Sequence, residues 1–129
     1  MHPLSSSMLV FVGAGIGGLA RFAVGAALPH ADGRLPTATL TVNLTGCLVA
    51  GLLAPILAGP EPNKEPLRLL LAVGLLGGFT TFSAFGRETA DLLSRGHSSL
   101  AAAYVGLSVV PGLMLSALGW WISTSLRSA

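Results

Sequence analysis

The residues best suited to chemistry lie in one short segment, 77–85, whose sequence is GGFTTFSAF. Paired glycines followed by three hydroxyl residues form a poor helix, so the segment predicts a broken helix. Inside a membrane, irregular backbone is tolerated only where it is buried in protein or lines a cavity. Its freed carbonyl oxygens can bind a cation, as in transporters with discontinuous helices. A glycine kink that serves packing alone is the other interpretation.

Aromatic rings and hydroxyl groups nearby have two possible roles, contact with an anion and packing, of which packing is the more common. Phe82 and Phe85 are three residues apart and share a helix face, so the positive edges of their rings are available to an anion. Packing is the alternative role for this pair. Tyr104 and Ser108 are four residues apart and add two hydroxyl donors on one face of a later helix. A small hydrated anion must exchange its water for such donors and ring edges.

A polar stripe also runs along an earlier apolar stretch. Thr39, Asn43 and Cys47 are spaced four residues apart, so the Asn43 amide faces the same way as the Thr39 hydroxyl. In hydrocarbon these groups need partners. Asn43 therefore either forms hydrogen bonds to another helix or lines a polar pathway.

Arg21 stands inside the first apolar stretch, one turn beyond Gly17. An arginine within a membrane span is a candidate functional residue that attracts an anion, whereas snorkelling or structural hydrogen bonding is the alternative. The glycines before it happen to match a dinucleotide-binding pattern, but no strand precedes them. The spacing of Gly13 and Gly17 instead favours close packing between membrane helices.

The elements that carry these residues follow from composition. Of 129 residues, 52% are hydrophobic and only 9% charged, and the mean hydropathy is +0.76, which argues against a soluble fold and against disorder. No Asp, Glu, Lys or Arg occurs in 3–20, 35–59, 69–86 or 96–126. We therefore predict four membrane-spanning helices at about 8–28, 37–59, 67–93 and 98–126 in one domain, 1–129. The first span is expected to be retained rather than cleaved as a signal peptide.

Several function classes have no support in the sequence. A net charge of +2 is too small for a nucleic-acid-binding footprint. The single cysteine, Cys47, cannot form an internal disulfide, and no Cys and His residues stand at metal-ligand spacing. No nucleophile or metal-hydrolase site is recognisable, so we expect that the chain is not an enzyme.

The positive charges barely distinguish the two ends of the helices. Lys64, Arg68 and Arg127 fall on the side of the termini. Arg34 and Arg95 fall on the other side, which has four positive charges if Arg21 and Arg87 reach that interface. Lysine and arginine in short loops set the orientation of a membrane protein. Such a small bias predicts insertion in both orientations, which would allow an antiparallel dimer.

Three motifs resemble the Fluc (CrcB) family of fluoride channels: GGFTTFS at 77–83, GGLARF at 17–22 and TLTVNL at 39–44. The resemblance covers essentially the whole chain. It implies an all-α protein of the cell inner (plasma) membrane, with four transmembrane helices, a broken third helix and an antiparallel dual-topology homodimer. The implied activity is passive export of fluoride through two pores, with a structural sodium ion at the centre of the dimer.

The resemblance also implies roles for individual residues. Gly77 and Thr80 match the backbone carbonyls that hold sodium. The positions matching the fluoride pathway are Asn43, Phe82, Phe85, Tyr104, Ser108, Thr39 and Arg21. The chain departs from some members at Gly112, where they carry a hydroxyl, so water or another side chain is expected to replace that donor.

Two other classes share some of these features. A small multidrug transporter has four helices and dual topology, but its proton-coupled export usually requires an acid in the first helix, and 8–28 contains none. A purely structural assembly subunit would need the small-residue faces but not the 77–85 segment. It would show no transport after purification.

Overall fold

The computed structural model describes residues 2–28, 33–59, 61 and 64–128, and the regular secondary structure in these ranges is helical. Five helices follow one another along the chain: α1 (Pro3–Ala27), α2 (Thr37–Leu57), α3 (64–79), α4 (Phe82–Ser94) and α5 (Ser98–Ser128). The helices α3 and α4 share one long apolar stretch, Lys64–Ser94.

Four stretches are long and apolar enough to cross a membrane, which confirms the four predicted spans. They are Pro3–Ala27, Thr37–Leu57, Lys64–Ser94 and Ser98–Arg127. The first begins five residues earlier than predicted because Pro3 occupies the first turn, where its missing N–H costs nothing. His2 Nδ1 also accepts a hydrogen bond from the Leu4 amide at 3.3 Å and so caps the helix.

The third span changes its hydrogen bonding along its length. Lys64–Leu67 is α-helical, Arg68–Leu76 forms a π-helix, and Gly77–Phe79 returns to α-helical geometry. The next two residues, Thr80 and Thr81, have extended backbone, with ψ angles of 158° and 112°. A new helix, α4, then begins at Phe82.

Glycines bring the helices into two close pairs. Gly13 and Gly17 of α1 are buried against α3, and a Cβ at either position would overlap the α3 backbone. Gly51 of α2 and Gly119 of α5 bring the other pair together in the same way. Without side chains at these positions the backbones approach closely, which confirms the predicted packing role of Gly13 and Gly17.

The helices α4 and α5 meet in a small core. Leu92, Ala101 and Tyr104 are buried there, and Tyr104 is fully enclosed. Phe85 packs against this cluster from the side of the helix interruption. The core therefore connects the interruption to the body of α5.

Candidate functional site

The candidate site is centred on the two extended residues between α3 and α4. Asn43 of α2 holds the second of them through both ends of its amide. Its Nδ2 donates to the Thr81 carbonyl at 3.0 Å, and its Oδ1 accepts from the Thr81 N–H at 2.8 Å. These two bonds replace the helical hydrogen bonds that extended backbone cannot make, as membrane burial requires.

The same contact changes the backbone of α3. In a continuous helix the Thr81 N–H would donate to the carbonyl of Gly77, four residues earlier. Here that N–H donates to Asn43, so the Gly77 carbonyl loses its usual donor. The Leu76 carbonyl instead receives both the N–H and the hydroxyl of Thr80, each at 2.9 Å. The interruption thus frees carbonyl oxygen at the end of α3.

The hydroxyl of Thr81 starts the next helix. Its Oγ1 accepts from the Ala84 N–H at 3.2 Å and lies 3.2 Å from the Ser83 hydroxyl. A threonine side chain in this role satisfies one of the amide donors that every helix start leaves open. This cap fixes the direction of α4 and therefore the positions of the phenylalanines on its first turn.

A cavity of about 350 Å³ opens beside the interruption. Its wall includes four of the predicted pathway residues, Asn43, Phe82, Phe85 and Ser108, together with Thr80. Cys47 and Ser116 extend the lining toward the C-terminal half of α5. The structure therefore brings together side chains that are distributed over three of the four spans.

The aromatic rings form a connected group at this cavity. The ring centroids of Phe82 and Phe85 lie 5.6 Å apart at an interplanar angle of 43°, and those of Phe85 and Tyr104 lie 5.2 Å apart at 54°. Such tilted pairs leave ring edges free to face other groups. Phe82 is 83% exposed in the single chain, whereas Tyr104 is fully buried behind Phe85.

A mostly buried carboxylate lies next to this aromatic group, and the sequence analysis did not assign it to the site. Glu88 accepts from the Thr39 hydroxyl at 2.9 Å and from the Tyr104 hydroxyl at 2.7 Å, and its side chain is only 13% exposed. The Arg87 guanidinium lies 3.8 Å from the same carboxylate. The signal in the sequence was the three-residue spacing of Phe85 and Glu88, which places both on one face of α4.

Three predicted pathway residues, Tyr104, Arg21 and Thr39, do not line the main cavity, and Tyr104 is enclosed behind Phe85. Arg21 and Thr39 line a separate cleft of about 250 Å³ that also contacts Thr81. Thr39 thus faces this cleft while its hydroxyl bonds to Glu88. The interruption has the cavity on one side and the Arg21 cleft on another.

The predicted cation ligands are backbone groups. Gly77 and Thr80 both line a groove between α2 and α3, and a Cβ at Gly77 would meet no neighbouring atom within 4 Å. Among the described residues, no group of three or more His, Cys, Asp or Glu side chains could hold a metal. Hard cations accept carbonyl oxygen as a ligand, so the freed carbonyls at the end of α3 have the chemistry such an ion requires.

The fold and the site together define a multi-pass helical membrane protein with a cavity at a helix interruption, lined by apolar and aromatic side chains and a few polar ones. This chain belongs to the CrcB family, because the family described as "CrcB-like protein, Camphor Resistance (CrcB)" matches residues 8–120. The match confirms the family that the sequence motifs indicated.

Individual relatives are similar over nearly their whole length. The protein named Fluoride-specific ion channel FluC in Methylobacillus flagellatus is 49% identical over 88% of this chain and 90% of its own length. Proteins of the same name in Novosphingobium aromaticivorans and Beijerinckia indica are each 44% identical, over 85% and 95% of this chain and 89% and 99% of their own lengths. These relatives are named as ion channels, in agreement with the prediction that the chain is not an enzyme.

Proposed function

We propose that the protein is a fluoride-specific ion channel of the cell inner membrane that exports cytoplasmic fluoride passively. One observation carries the proposal: the cavity at the helix interruption combines two aromatic rings with polar donors from α2 and α5. Phe82 and Phe85 supply the rings, and Asn43 and Ser108 supply the donors. The relatives named fluoride-specific channels support this choice of anion.

The donors at the cavity suit a small anion that must lose its water. Ser108 makes no hydrogen bond to another residue within the described ranges, so its hydroxyl is free to donate. Asn43 uses one amide hydrogen on Thr81 and retains a second. Hydrogen bonds to an ionised acceptor are roughly twice as strong as neutral ones. These groups therefore replace part of the hydration shell of the ion.

Export of this kind requires no chemical fuel. A membrane potential that is negative inside drives an anion outward by about 2.3 kcal/mol per 100 mV. The pore then has only to lower the cost of dehydration in the hydrocarbon layer. The mostly buried Glu88 carboxylate accepts hydrogen bonds from the Thr39 and Tyr104 hydroxyls, which lower the cost of its partial burial.

The proposal includes an antiparallel homodimer with two pores. Two features of the single chain support it: Phe82 is largely exposed although it lines the cavity, and Gly77 faces open space. A second copy would cover both. The nearly equal positive charge at the two ends of the helices is compatible with insertion in opposite orientations.

The proposed sodium ion would lie where the third spans of the two copies meet. The carbonyls of Gly77 and Thr80 would hold it, and each copy would contribute the same pair. The Gly77 carbonyl suits this role because its helical donor, the Thr81 N–H, is directed to Asn43. A bound cation there would supply positive charge that offsets the cost of placing an anion in the membrane.

The deciding experiment is fluoride efflux from liposomes. Purified protein is reconstituted into vesicles loaded with potassium fluoride, valinomycin is added to dissipate the opposing potential, and external fluoride is followed with an electrode. We expect rapid fluoride efflux, with no efflux when chloride replaces fluoride. Absence of fluoride efflux from folded protein would refute the proposal.

The role of the ring edges has its own matched test. F82L removes the exposed ring at the cavity, and F11L removes a ring of similar exposure from α1, 75% against 83%. Phe11 does not line the cavity. We expect F82L to slow efflux by at least about tenfold, because leucine has no aromatic ring and so offers the anion no positive ring edge. Equal rates for both variants would show that Phe82 has no special role.

A further inference from the structure

The row of hydroxyl groups on the cavity face of α5 has a gap. Ser108 and Ser116 both line the cavity, and Gly112 stands midway between them on the same helix face. Ser108 and Ser116 are eight residues apart, which is about 12 Å along the helix axis. An ion that moves from one hydroxyl to the other would cross this distance without a donor from α5. Moreover, the Ser116 hydroxyl donates to the Cys47 carbonyl at 2.9 Å, so its hydrogen is already committed.

The side chain of Cys47 faces this gap from α2. A Cβ placed on Gly112 would lie 3.4 Å from Cys47 Sγ, within van der Waals contact. The thiol therefore occupies the space into which a residue-112 side chain would project. Cys47 lines the same cavity as Ser108, and within the described chain its thiol donates no hydrogen bond.

We propose that Cys47 is a fluoride-pathway residue whose thiol supplies the donor that Gly112 lacks. This inference rests on the proposed channel function and adds one residue to the same cavity. The order of groups along the path would then be Ser108 from α5 followed by Cys47 from α2. No bond is made or broken: the S–H remains intact and donates to the passing ion.

The chemistry predicts how substitutions at position 47 rank. A thiol is a weaker hydrogen-bond donor than a hydroxyl, so C47S preserves the function and strengthens the donor. C47A removes the donor without adding bulk. Because a typical hydrogen bond contributes about 0.5–1.5 kcal/mol, we expect C47A to slow fluoride efflux about three- to tenfold.

A rescue from the opposite helix separates donation from packing. G112S places a hydroxyl close to the position of the thiol, at a contact distance that the smaller alanine at position 47 accommodates. We expect C47A/G112S to recover most of the wild-type efflux rate. T45A serves as the matched control, because Thr45 is an exposed hydroxyl residue of the same helix that does not line the cavity.

The test measures fluoride efflux from liposomes for wild type, C47S, C47A, C47A/G112S and T45A at equal amounts of folded protein. Slow C47A together with wild-type rates for C47S and C47A/G112S supports the proposal. Wild-type efflux from C47A, or a slow C47A that G112S does not restore, overturns it. If C47A fails to fold, C47V is compared with C47S instead: a slow C47V beside a wild-type C47S supports the proposal, and wild-type efflux from C47V overturns it. Absence of efflux from the wild type itself would instead refute the channel function.

Discussion

The bond pair between Asn43 and the Thr81 backbone gives the sharpest prediction about how the interruption is held. N43L replaces the amide with an apolar side chain of similar shape, so it removes both hydrogen bonds and opens little space. The Thr81 N–H and carbonyl then lose their partners in the interior of the bundle. We expect the interruption to loosen and the whole protein to lose stability.

The size of the effect follows from the two bonds. A protein hydrogen bond contributes about 0.5–1.5 kcal/mol net. Bonds between membrane helices average about 0.6 kcal/mol, because the unfolded chain in the membrane also finds partners. Two such bonds predict that N43L lowers the free energy of unfolding by about 1–3 kcal/mol.

The assay is unfolding in mixed micelles of mild detergent and dodecyl sulfate, followed by circular dichroism at one fixed protein concentration. T45V is the control, because it removes an exposed polar group from the same helix. Hydrogen exchange adds a local readout, and we expect peptides that contain Thr81 to exchange faster in N43L. An unfolding free energy within about 0.5 kcal/mol of wild type, with unchanged exchange at Thr81, would refute the reasoning.

Three further predictions concern packing, the Glu88 carboxylate and the cation. G17A should lower the free energy of unfolding by about 1–3 kcal/mol, because its methyl group overlaps the α3 backbone. The control G15A places its methyl group in open space and should be neutral or stabilising. Similar unfolding midpoints for the two variants in the micelle assay would contradict this prediction. Y104F removes a donor from the Glu88 carboxylate and should cost about 1.5–3 kcal/mol, and E88Q should then cost less in the Y104F background than in wild type. Strict additivity of these two substitutions would argue against a shared bond. Replacing sodium with N-methyl-D-glucamine should lower the thermal midpoint of the purified protein, and the sodium proposal fails if the two midpoints coincide.

The sequence determined the helical spans because of one strong physical constraint. Each residue that enters hydrocarbon must be mostly uncharged, and backbone polar groups there must pair within a helix, so four uncharged stretches predicted four spans. The error at the start of α1 came from polar serines at 5–7, which resemble residues outside the membrane. The His2 cap and Pro3 extend the helix over them. The glycine spacing likewise predicted a close helix contact without naming the partner helix.

Tertiary structure alone decided which residues meet. Asn43 and Thr81 are 38 residues apart, and Thr39 and Glu88 are 49 apart, so no local pattern could pair them. Their pairing depends on how the glycine faces of four helices dock, which sets the rotation of each helix about its axis. The sequence could place Asn43 on a polar stripe, but its two possible roles stayed open. Extended residues in a membrane interior must find hydrogen-bond partners outside their own helix. Only the packing of the bundle brings the Asn43 amide to the extended backbone at Thr81 and so decides its role.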